Sequence, residues 1–381
     1  MHRVQLTSTD SNRPLRATAV VVLYRMSPKE SPALESLMDA RAELPAKAGE
    51  VSILVWDNSP EAHSPGSLDD GIEYLHDPRN LGLANAYNRA LERAIRDGSD
   101  WLITLDQDTR VPRNYLVRFA AAALRCLNRP DVAAIVPYIV AGKKRLSPYR
   151  FALGAFPQWY PPGFCGIPKQ PVFAFNSGAM LSVAALRQTG GYDPYFPLDH
   201  SDTAVFHNLH RHGKRVYIVG DLELHHDFSM LDIRHRMSVE RYRRSLQAET
   251  TFWDLHMSRL ARLERTLRLG VRMTRQWRAN EDHEVRQITR QSLRSRLFQS
   301  RAARLSQWRD SVDGDVPNVT RLHGSPGKRP KVSVSMAAYN GGRFIEAAQA
   351  AGRRRVAPEI VGALGVRIAI AQTADPAILL R

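Results

Sequence analysis

The sequence predicts a mostly parallel, doubly wound α/β domain with a C-terminal helical appendage, and three observations support this fold class. Continuous apolar, β-branched runs recur without polar alternation, as in strands that are buried on both faces. They alternate with helical stretches, which is typical of parallel sheets. Beyond Phe228 the pattern changes to long amphipathic helices that are rich in arginine.

The elements of the α/β domain can be assigned in order along the chain. A helix is expected from Ser31, with Pro32 suited to its first turn. A second helix is expected from Asn80, a candidate cap, to Gly98. Residues 147–171 are interpreted as a loop, and residues 172–194 as a strand, a small-residue turn and a helix. We predict further strands at 18–24, 51–59, 72–77, 101–106 and 131–140.

The last part of this domain, residues 196–227, gives a loop with acids, a helix and a strand that ends in two histidines. Ligands of doubly wound sheets bind at the carboxyl ends of the strands. Asp57, Asp106 and Asp108 all follow such strands. The sequence therefore predicts a ligand site at this edge of the sheet.

Length and composition are those of an ordinary soluble protein. The 381 residues suffice for one large domain with an appendage, or for two domains. The longest apolar runs are too short to cross a membrane, and the polar N-terminus lacks a secretory signal. The two cysteines, Cys126 and Cys165, do not make a disulfide framework. We therefore expect a reducing, cytoplasmic location.

The formal net charge of +16 is the unusual figure. It is consistent with a solvated basic surface, an anionic membrane, an anionic small substrate or a nucleic acid. Arginine is concentrated between residues 234 and 309, mostly at helical spacing, without an RNA-binding aromatic motif or zinc-finger spacing. This distribution favours a membrane or phosphate role over sequence-specific recognition of nucleic acid.

Asp106 and Asp108 form a D-x-D pair at the end of the fourth long strand. In an extended chain, residues two apart point to one side, so both carboxylates can face one ion. Hard oxygen ligands suit Mg²⁺ or Mn²⁺, which can bridge a diphosphate. The alternative is an ordinary acidic turn.

Other polar residues lie at comparable positions. Asp57 and Asn58 close a buried strand, and either form a turn or recognise a nucleobase or ribose. A polar ridge surrounds the start of the next helix. Capping explains Asn80 but not Asn88, unless Asn88 faces solvent. The members of the ridge are Asn80, Gly82, Asn85 and Asn88.

Two further groups carry acid–base or ligand chemistry. Asp199 and Asp202 lie in a loop before a helix, where a carboxylate could act as a general base. The alternative is helix capping by Ser201 or Asp202. Two adjacent histidines follow the last strand, and one could complete a metal site while the other is buried.

Six motifs, taken in order, resemble the family-two glycosyltransferases of the inverting GT-A type. The resemblance covers about residues 18–230. LDQDT together with NLGLANAYN is most similar to the rhamnosyltransferase-like branch, which uses deoxythymidine-diphosphate-rhamnose. The motifs are VVVLYRM, VWDNS, NLGLANAYNRAL, WLITLDQDT, FNSGAMLSVAALRQTGGYDPYFPLDHSD and LHHDFSM.

The resemblance implies a set of donor-binding residues. One would contact the pyrimidine base, others would line the donor pocket or allow close approach, one would hold the diphosphate through a divalent cation, and three would shape the sugar and acceptor side. In that order, they are Asp57, Asn80, Asn88, Gly82, Asp106, Asn176, Ser177 and Gly178.

The same resemblance implies catalytic and metal-binding residues. Asp202 matches the catalytic base, and Asp199 matches an acid that often precedes it. The cofactor implied is Mg²⁺ or Mn²⁺. The metal ligands implied are Asp106, Asp108, His226 and His225.

The sequence also departs from the family pattern. Ala204 and Asn208 stand where the branch has Glu and Arg, and Arg25 follows Tyr24 where Asn is usual. The first two departures affect the expected acceptor contacts.

The function implied is transfer of a sugar, rhamnose by the resemblance, to a hydroxyl of a cell-surface polysaccharide or lipid-linked glycan. One alternative is a catalytically weak or inactive nucleotide-sugar-binding protein of the same fold, because a second acid near Asp202 is missing. A nucleic-acid-binding protein is a third class that only the charge suggests, and no specific nucleic acid is expected.

We predict five segments along the chain. The last, from KVSVSMAAYNGGRFIE, looks like the start of a second family-two domain that is truncated or out of frame, or is a coincidental βα unit. The segments are a flexible N-terminus at 1–16, the catalytic domain at 17–228, a basic helical region at 229–310, a linker at 311–330 and the fragment at 331–381.

The basic helical region admits two interpretations. Packing or dimerisation is favoured over contact with the inner face of the cytoplasmic membrane, because an apolar stripe suggests a buried face. In the membrane interpretation, anionic headgroups would meet Arg241, Arg243, Arg244, Arg259 and Arg262. The stripe that we expect to be buried consists of Leu246, Phe252, Trp253, Leu260, Leu263 and Leu267.

Overall fold

Our computed structural model of the chain describes residues 14–66, 69–142, 144–152, 156–225 and 238–315. His226, the segment 331–381 and most of the expected linker lie outside these ranges. The predictions made for them are therefore neither supported nor contradicted by the structure.

The described residues form ten strands and nine α-helices, and a short 3₁₀ turn at Pro28–Glu30 precedes the first helix. The strands are β1 (Leu15–Leu23), β2 (Gly49–Asp57), β3 (Ile72–His76), β4 (Trp101–Asp106), β5 (Val132–Ala141), β6 (Lys144–Ser147), β7 (Tyr149–Ala152), β8 (Phe156–Trp159), β9 (Ala179–Ser182) and β10 (Arg215–His225). The helices are α1 (Pro32–Ala42), α2 (Gly82–Arg96), α3 (Tyr115–Arg125), α4 (Val183–Thr189), α5 (Ser201–Arg211), α6 (Val239–His256), α7 (Arg259–Arg278), α8 (His283–Phe298) and α9 (Arg301–Asp315).

The central sheet has the order β10-β5-β9-β4-β1-β2-β3, and β6 pairs with β5. The pairs β10–β5, β4–β1, β1–β2 and β2–β3 are parallel, whereas β9 runs antiparallel to both of its neighbours. The register pairs Leu23 of β1 with Asp57 of β2, and Val22 with Asp106 of β4. Asp57 and Asp106 therefore lie at the same edge of the sheet, as predicted.

Helices cover both faces of this sheet, which confirms the doubly wound α/β prediction. Along β1, Val20 and Val22 belong to an apolar cluster with residues of α2, α4 and α5. The alternate residues Val21 and Leu23 belong to a second cluster with α1 and α3. Because the strand is buried on both sides, it contains no polar alternation.

Several local predictions are wrong. Asn80 is not the cap of α2: it is exposed with a φ of 46°, and the helix follows Leu81. The expected loop at 147–171 contains the β7–β8 hairpin. The strand β9 follows the Asn176–Gly178 turn, whereas we expected a strand before it. β1 begins at Leu15, and α9 extends to Asp315, past the expected start of the linker.

The helices α6 to α9 pack on the α/β domain and on each other. One apolar cluster joins Phe252 and Trp253 of α6 to Trp308 of α9 and to Phe196 and Ala204 of the α/β domain. In the described part of the chain, no helix is both long and apolar enough to span a membrane.

The predicted apolar stripe is half right. Leu246, Phe252 and Trp253 are buried, in agreement with the prediction. The three leucines of α7 are exposed, contrary to the prediction, because α7 turns its opposite face toward its neighbours. They are Leu260, Leu263 and Leu267.

Candidate active site

A cleft of about 320 Å³ opens at the carboxyl end of β4, beside the loop that leads into α5. It brings together predicted residues that are up to 96 positions apart in the sequence. The predicted site residues that line it are Asp106, Asn176, Ser177, Asp199 and Asp202.

Asp106 is held in place by contacts from two other elements. The Tyr87 hydroxyl donates a hydrogen bond to Oδ1 of Asp106 at 3.0 Å, and the Asp106 amide donates to Oγ of Ser177 at 3.0 Å. Burial raises the pKa of the Tyr87 hydroxyl well above its ordinary value, and the charge of Asp106 acts in the same direction. Tyr87 therefore stays protonated and orients the carboxylate.

Asp108 lies in a turn, so the extended geometry predicted for the D-x-D pair is wrong. β4 ends at Asp106, and the amide of Thr109 donates to the Asp106 carbonyl at 3.2 Å. Asp108 is partly exposed and is not among the described residues that line the cleft. The two carboxylates are close in sequence, but they do not extend from one face of a strand.

Gln107, between the two acids, has a structural role that sequence analysis missed. Its Oε1 accepts a hydrogen bond from the Tyr24 amide at 2.7 Å. Its carbonyl accepts from Oγ of Ser31 at 2.9 Å and from the amide of Ala33 at 3.2 Å. Gln107 therefore joins the end of β1 and the start of α1 to the turn that carries the acids. The only sign of this role in the sequence is an amide side chain that follows the end of a predicted strand.

Asn176 and Ser177 connect β4 to the start of α5. The Asn176 amide donates to Oγ of Ser201 at 3.0 Å, and its Oδ1 accepts from the Tyr192 hydroxyl at 3.2 Å. Gly178 has a φ of 77°, and a Cβ there would lie 2.2 Å from Cδ1 of Leu224. This small-residue turn therefore permits close packing beneath the cleft.

Asp202 lies in the first turn of α5, with its side chain facing the cleft. Its Oδ1 accepts hydrogen bonds from the amide and hydroxyl of Thr203, at 2.6 and 3.1 Å. The N-cap position belongs to His200, and Ser201 accepts from Asn176 instead. The capping interpretation is therefore wrong for Ser201, whereas Asp202 does satisfy one free amide of the first turn, that of Thr203.

The surroundings of Asp202 make its carboxylate a stronger base. Burial is the main cause that raises its pKa above the ordinary aspartate value, and nearby Asp199 acts in the same direction. A charge on His200 and the hydrogen bonds from Thr203 oppose this effect without cancelling it. A carboxylate with a raised pKa in a cleft suits general-base chemistry.

The helical region holds one side of the loop that carries these acids. Nη2 of Arg241 in α6 donates to Oδ1 of Asp199 at 3.1 Å. The His200 ring stacks on Phe252 with centroids 5.6 Å apart. Nε1 of Trp308 in α9 donates to the Tyr195 carbonyl at 2.9 Å.

Helix α2 holds the other side of the loop through two predicted donor-binding residues. The Asn88 side chain donates to the Tyr192 carbonyl and accepts from its amide, both at 2.8 Å. Gly82 has a φ of 85°, and a Cβ there would lie 2.4 Å from the Pro197 carbonyl oxygen. The Asn88 side chain is thus bonded to the loop and does not face solvent. Among the residues that the structure describes, Asn88 does not line the cleft. The group that approaches Gly82 closely is the Pro197 carbonyl of the same chain.

Gly82→Ala is expected to lower the free energy of unfolding by about 2 kcal/mol more than Gly213→Ala does. Both glycines have positive φ, so both changes carry a similar backbone cost, but no atom lies within 4 Å of a Cβ at Gly213. The difference measures the contact with Pro197. Urea unfolding of both variants tests this, and equal losses would contradict it.

Asp57 and Asn58 are bonded inside the protein. The Asp57 carboxylate accepts from the Ser59 amide at 2.8 Å and from the Tyr74 hydroxyl at 2.6 Å, and the His63 ring lies 2.9 Å away. Burial raises the pKa of Asp57, but these hydrogen bonds outweigh it and leave the pKa below its ordinary value. Both residues are buried, which favours the turn interpretation, and contact of Asp57 with a base stays a prediction.

The predicted metal ligands are only partly brought together. Within the residues that the structure describes, no group of three or more His, Cys, Asp or Glu side chains could hold a metal ion. The His225 side chain is 76% exposed and lies 3.6 Å from Glu223. Asp106 lines the cleft and Asp108 does not, so a site that both carboxylates share stays a prediction. Mg²⁺ can bind through one or two carboxylates together with phosphates.

The departures from the family pattern at Ala204 and Asn208 have packing explanations. Ala204 is buried against Phe252 in the cluster that joins α6 to α5, where a glutamate would place a charge among apolar side chains. The Asn208 amide donates to the Thr189 carbonyl at the end of α4, at 2.7 Å.

Comparison with known protein families gives one match that bears on this cleft. Residues 32–190 match the family model of glycosyl transferase family 2. The family 2 region contains the acids of β4 and the Asn176–Gly178 turn, and it ends before Asp202. The match supports the interpretation of the protein as a nucleotide-sugar glycosyltransferase. The mostly parallel sheet with helices on both faces is a GT-A-like fold. No curated protein matches the chain.

Solved structures with low similarity include three glycosyltransferases. GalNAc-T7 with UDP, GalNAc and Mn²⁺ is 12% identical with a TM-score of 0.40, and 63% of this chain matches 50% of that chain. TarS from S. aureus, residues 1–349, is 12% identical with a TM-score of 0.40, with coverages of 79% and 90%. The mannosyltransferase PcManGT from Pyrobaculum calidifontis, with GDP-Man and Mn²⁺, is 14% identical with a TM-score of 0.37, with coverages of 90% and 81%. The chain thus spans half the length of the GalNAc-T7 structure.

Proposed function

We propose that this protein is an inverting glycosyltransferase with a nucleotide-diphosphate sugar as donor. The observation that carries this proposal is the cleft in which Asp202, with its raised pKa, lies together with Asp106 at the end of β4. The family 2 match over residues 32–190 supports it. From the LDQDT and NLGLANAYN motifs, we propose rhamnose as the sugar and deoxythymidine diphosphate as the leaving group.

Asp202 acts as the general base in this proposal. Its carboxylate accepts the proton of an acceptor hydroxyl, and the acceptor oxygen forms a bond to the anomeric carbon of the donor. The bond from that carbon to the diphosphate breaks on the opposite face, so the configuration inverts. Oδ1 of Asp202 already accepts from Thr203, which leaves Oδ2 as the atom that receives the proton.

Asp106 and Asp108 hold the donor diphosphate. A divalent cation bound by these carboxylates would neutralise the charge that develops on the leaving diphosphate. Tyr87 keeps the Asp106 carboxylate in one orientation, and Asn176 fixes the start of α5 relative to β4. These contacts hold the base and the diphosphate site in one geometry, which is a main source of rate in a transfer between two bound substrates.

The acceptor is a hydroxyl of a cell-surface polysaccharide or of a lipid-linked glycan. The packing of α6 on α5 shapes the acceptor side, because apolar side chains of α6 pack around Ala204. We therefore expect acceptor contacts that differ from those of family members with an acid there.

A thermal-shift screen of nucleotide sugars with Mg²⁺, Mn²⁺ or EDTA tests the donor assignment. At one hundred times Kd, the correct donor is expected to stabilise the protein by about 2.7 kcal/mol. The shift should be largest for deoxythymidine-diphosphate-rhamnose, and it should shrink in EDTA and in Asp106→Asn. A larger shift with another donor would reassign the sugar, and no shift with any donor would contradict the function. Binding without transfer would identify a nucleotide-sugar-binding protein.

A further inference from the structure

Helix α7 carries an apolar stripe that the rest of the described chain leaves exposed. Spacings of three and four residues place its members on one helix face. That face points away from the buried side of α7, where Ala261, Leu269 and Gln276 lie. The stripe consists of Leu260, Leu263, Leu267 and Val271, which are 79%, 56%, 64% and 50% exposed.

The arginines of α7 fall into two groups around this stripe. The helix has seven arginines and a single acid, Glu264. Arg262, Arg265, Arg268 and Arg272 pair with acids of the helical region. The other three are exposed, flank or continue the stripe, and form no ion pair with the described residues. They are Arg259, Arg275 and Arg278.

Neighbouring elements extend the apolar surface on both sides of α7. The Arg268 guanidinium lies 4.5 Å from the ring centroid of Phe156 in β8, which is 42% exposed. On the other side, Leu263 shares a small cleft with Leu297 at the end of α8. We call the stripe, its three flanking arginines, Phe156 and Leu297 the basic apolar face.

We propose that the basic apolar face docks on the surface of an anionic phospholipid bilayer. Its leucines and valine can enter the boundary of the acyl chains while the flanking arginines meet headgroup phosphates. Aromatic and arginine side chains beside an apolar helix face suit this interface. The proposal goes beyond sugar transfer and holds whether or not the chain transfers a sugar.

Charge distinguishes a bilayer from a second copy of the chain. Pairing of two copies through this face would bring the arginines that flank both stripes together. Glu264, the single acid of α7, is already paired with Arg268 and is mostly buried. Like charges across an interface oppose association, whereas an anionic lipid surface attracts each arginine.

Vesicle co-sedimentation of the full chain tests the proposal without any sugar donor. The chain is expected to bind phosphatidylcholine vesicles that contain phosphatidylglycerol, and to bind pure phosphatidylcholine weakly. The double variant Leu263→Gln, Leu267→Gln should lower the partition coefficient at least about tenfold. Arg275→Gln and Arg278→Gln should each lower it about fivefold and reduce its salt dependence.

A matched control and a fold check make the result decisive. Leu124 of α3 is 44% exposed and lies outside the basic apolar face, so Leu124→Gln should bind vesicles like the wild type. Melting curves should be the same for all variants, because the altered side chains are exposed. The proposal is overturned if the wild type fails to bind anionic vesicles at low salt or if the double leucine variant binds equally well. It is also overturned if light scattering shows that the wild type is a dimer and the double leucine variant a monomer, while neither protein binds vesicles.

Discussion

Asp202→Asn is expected to lower kcat for sugar transfer roughly a hundred- to ten-thousandfold. The amide keeps the shape of the side chain and an oxygen that can accept from Thr203, but it cannot take a proton from the acceptor. Donor affinity, measured by calorimetry, should stay at the wild-type level. Steady-state transfer assays and calorimetry on the same preparation separate the two effects.

Asp193→Asn is the matched control, because Asp193 is an exposed acid of the same loop, and it should keep the wild-type rate. In the wild type, kcat should fall as the pH drops through the pKa of Asp202, since the protonated carboxyl cannot act as a base. Burial raises that pKa, so the fall should occur above the ordinary aspartate value of about 3.9. A wild-type rate in Asp202→Asn would assign the base elsewhere.

Phe252→Ala is expected to lower the free energy of unfolding by about 3–5 kcal/mol. Phe252 is fully buried, and its ring centroid lies 5.9 Å from that of Phe196 and 5.6 Å from that of His200. Truncation leaves a cavity between α6 and the loop that carries Asp199. Urea unfolding measures the loss.

Phe298→Ala is the control for this change, because Phe298 is 80% exposed, and we expect a loss below about 0.5 kcal/mol. Phe252→Ala should also reduce kcat, since His200 loses its stacking partner beside Asp202. Similar stabilities of the two variants would show that α6 does not support the loop.

Much of the α/β fold could be predicted because its signal is local. β1 is buried on both faces, so its uninterrupted apolar run identifies it from a few residues. The acids at the ends of β2 and β4 could be grouped because parallel strands end at one edge. The hairpin β7–β8 was missed because its short strands lie in a stretch rich in proline, glycine and aromatic residues.

The roles of Asn88 and Gln107 could not be predicted because their partners are distant in sequence. Asn88 bonds to Tyr192, 104 residues away, and Gln107 bonds to Tyr24, 83 residues away. The α7 stripe shows a related difficulty. Its periodicity identifies an apolar face, but Arg265 and Leu269 pack inward instead, through a cation–π contact with Trp253 and an apolar cluster.

The loop that precedes α5 depends on contacts made late in the sequence. The hydrogen bond from Trp308 to Tyr195 spans 113 residues, and the one from Arg241 to Asp199 spans 42. A ribosome therefore releases residues 32–190, which match family 2, well before Trp308 can contact this loop. We expect chains that end before α9 to hold this loop less firmly than the full chain does, because they lack the contact from Trp308.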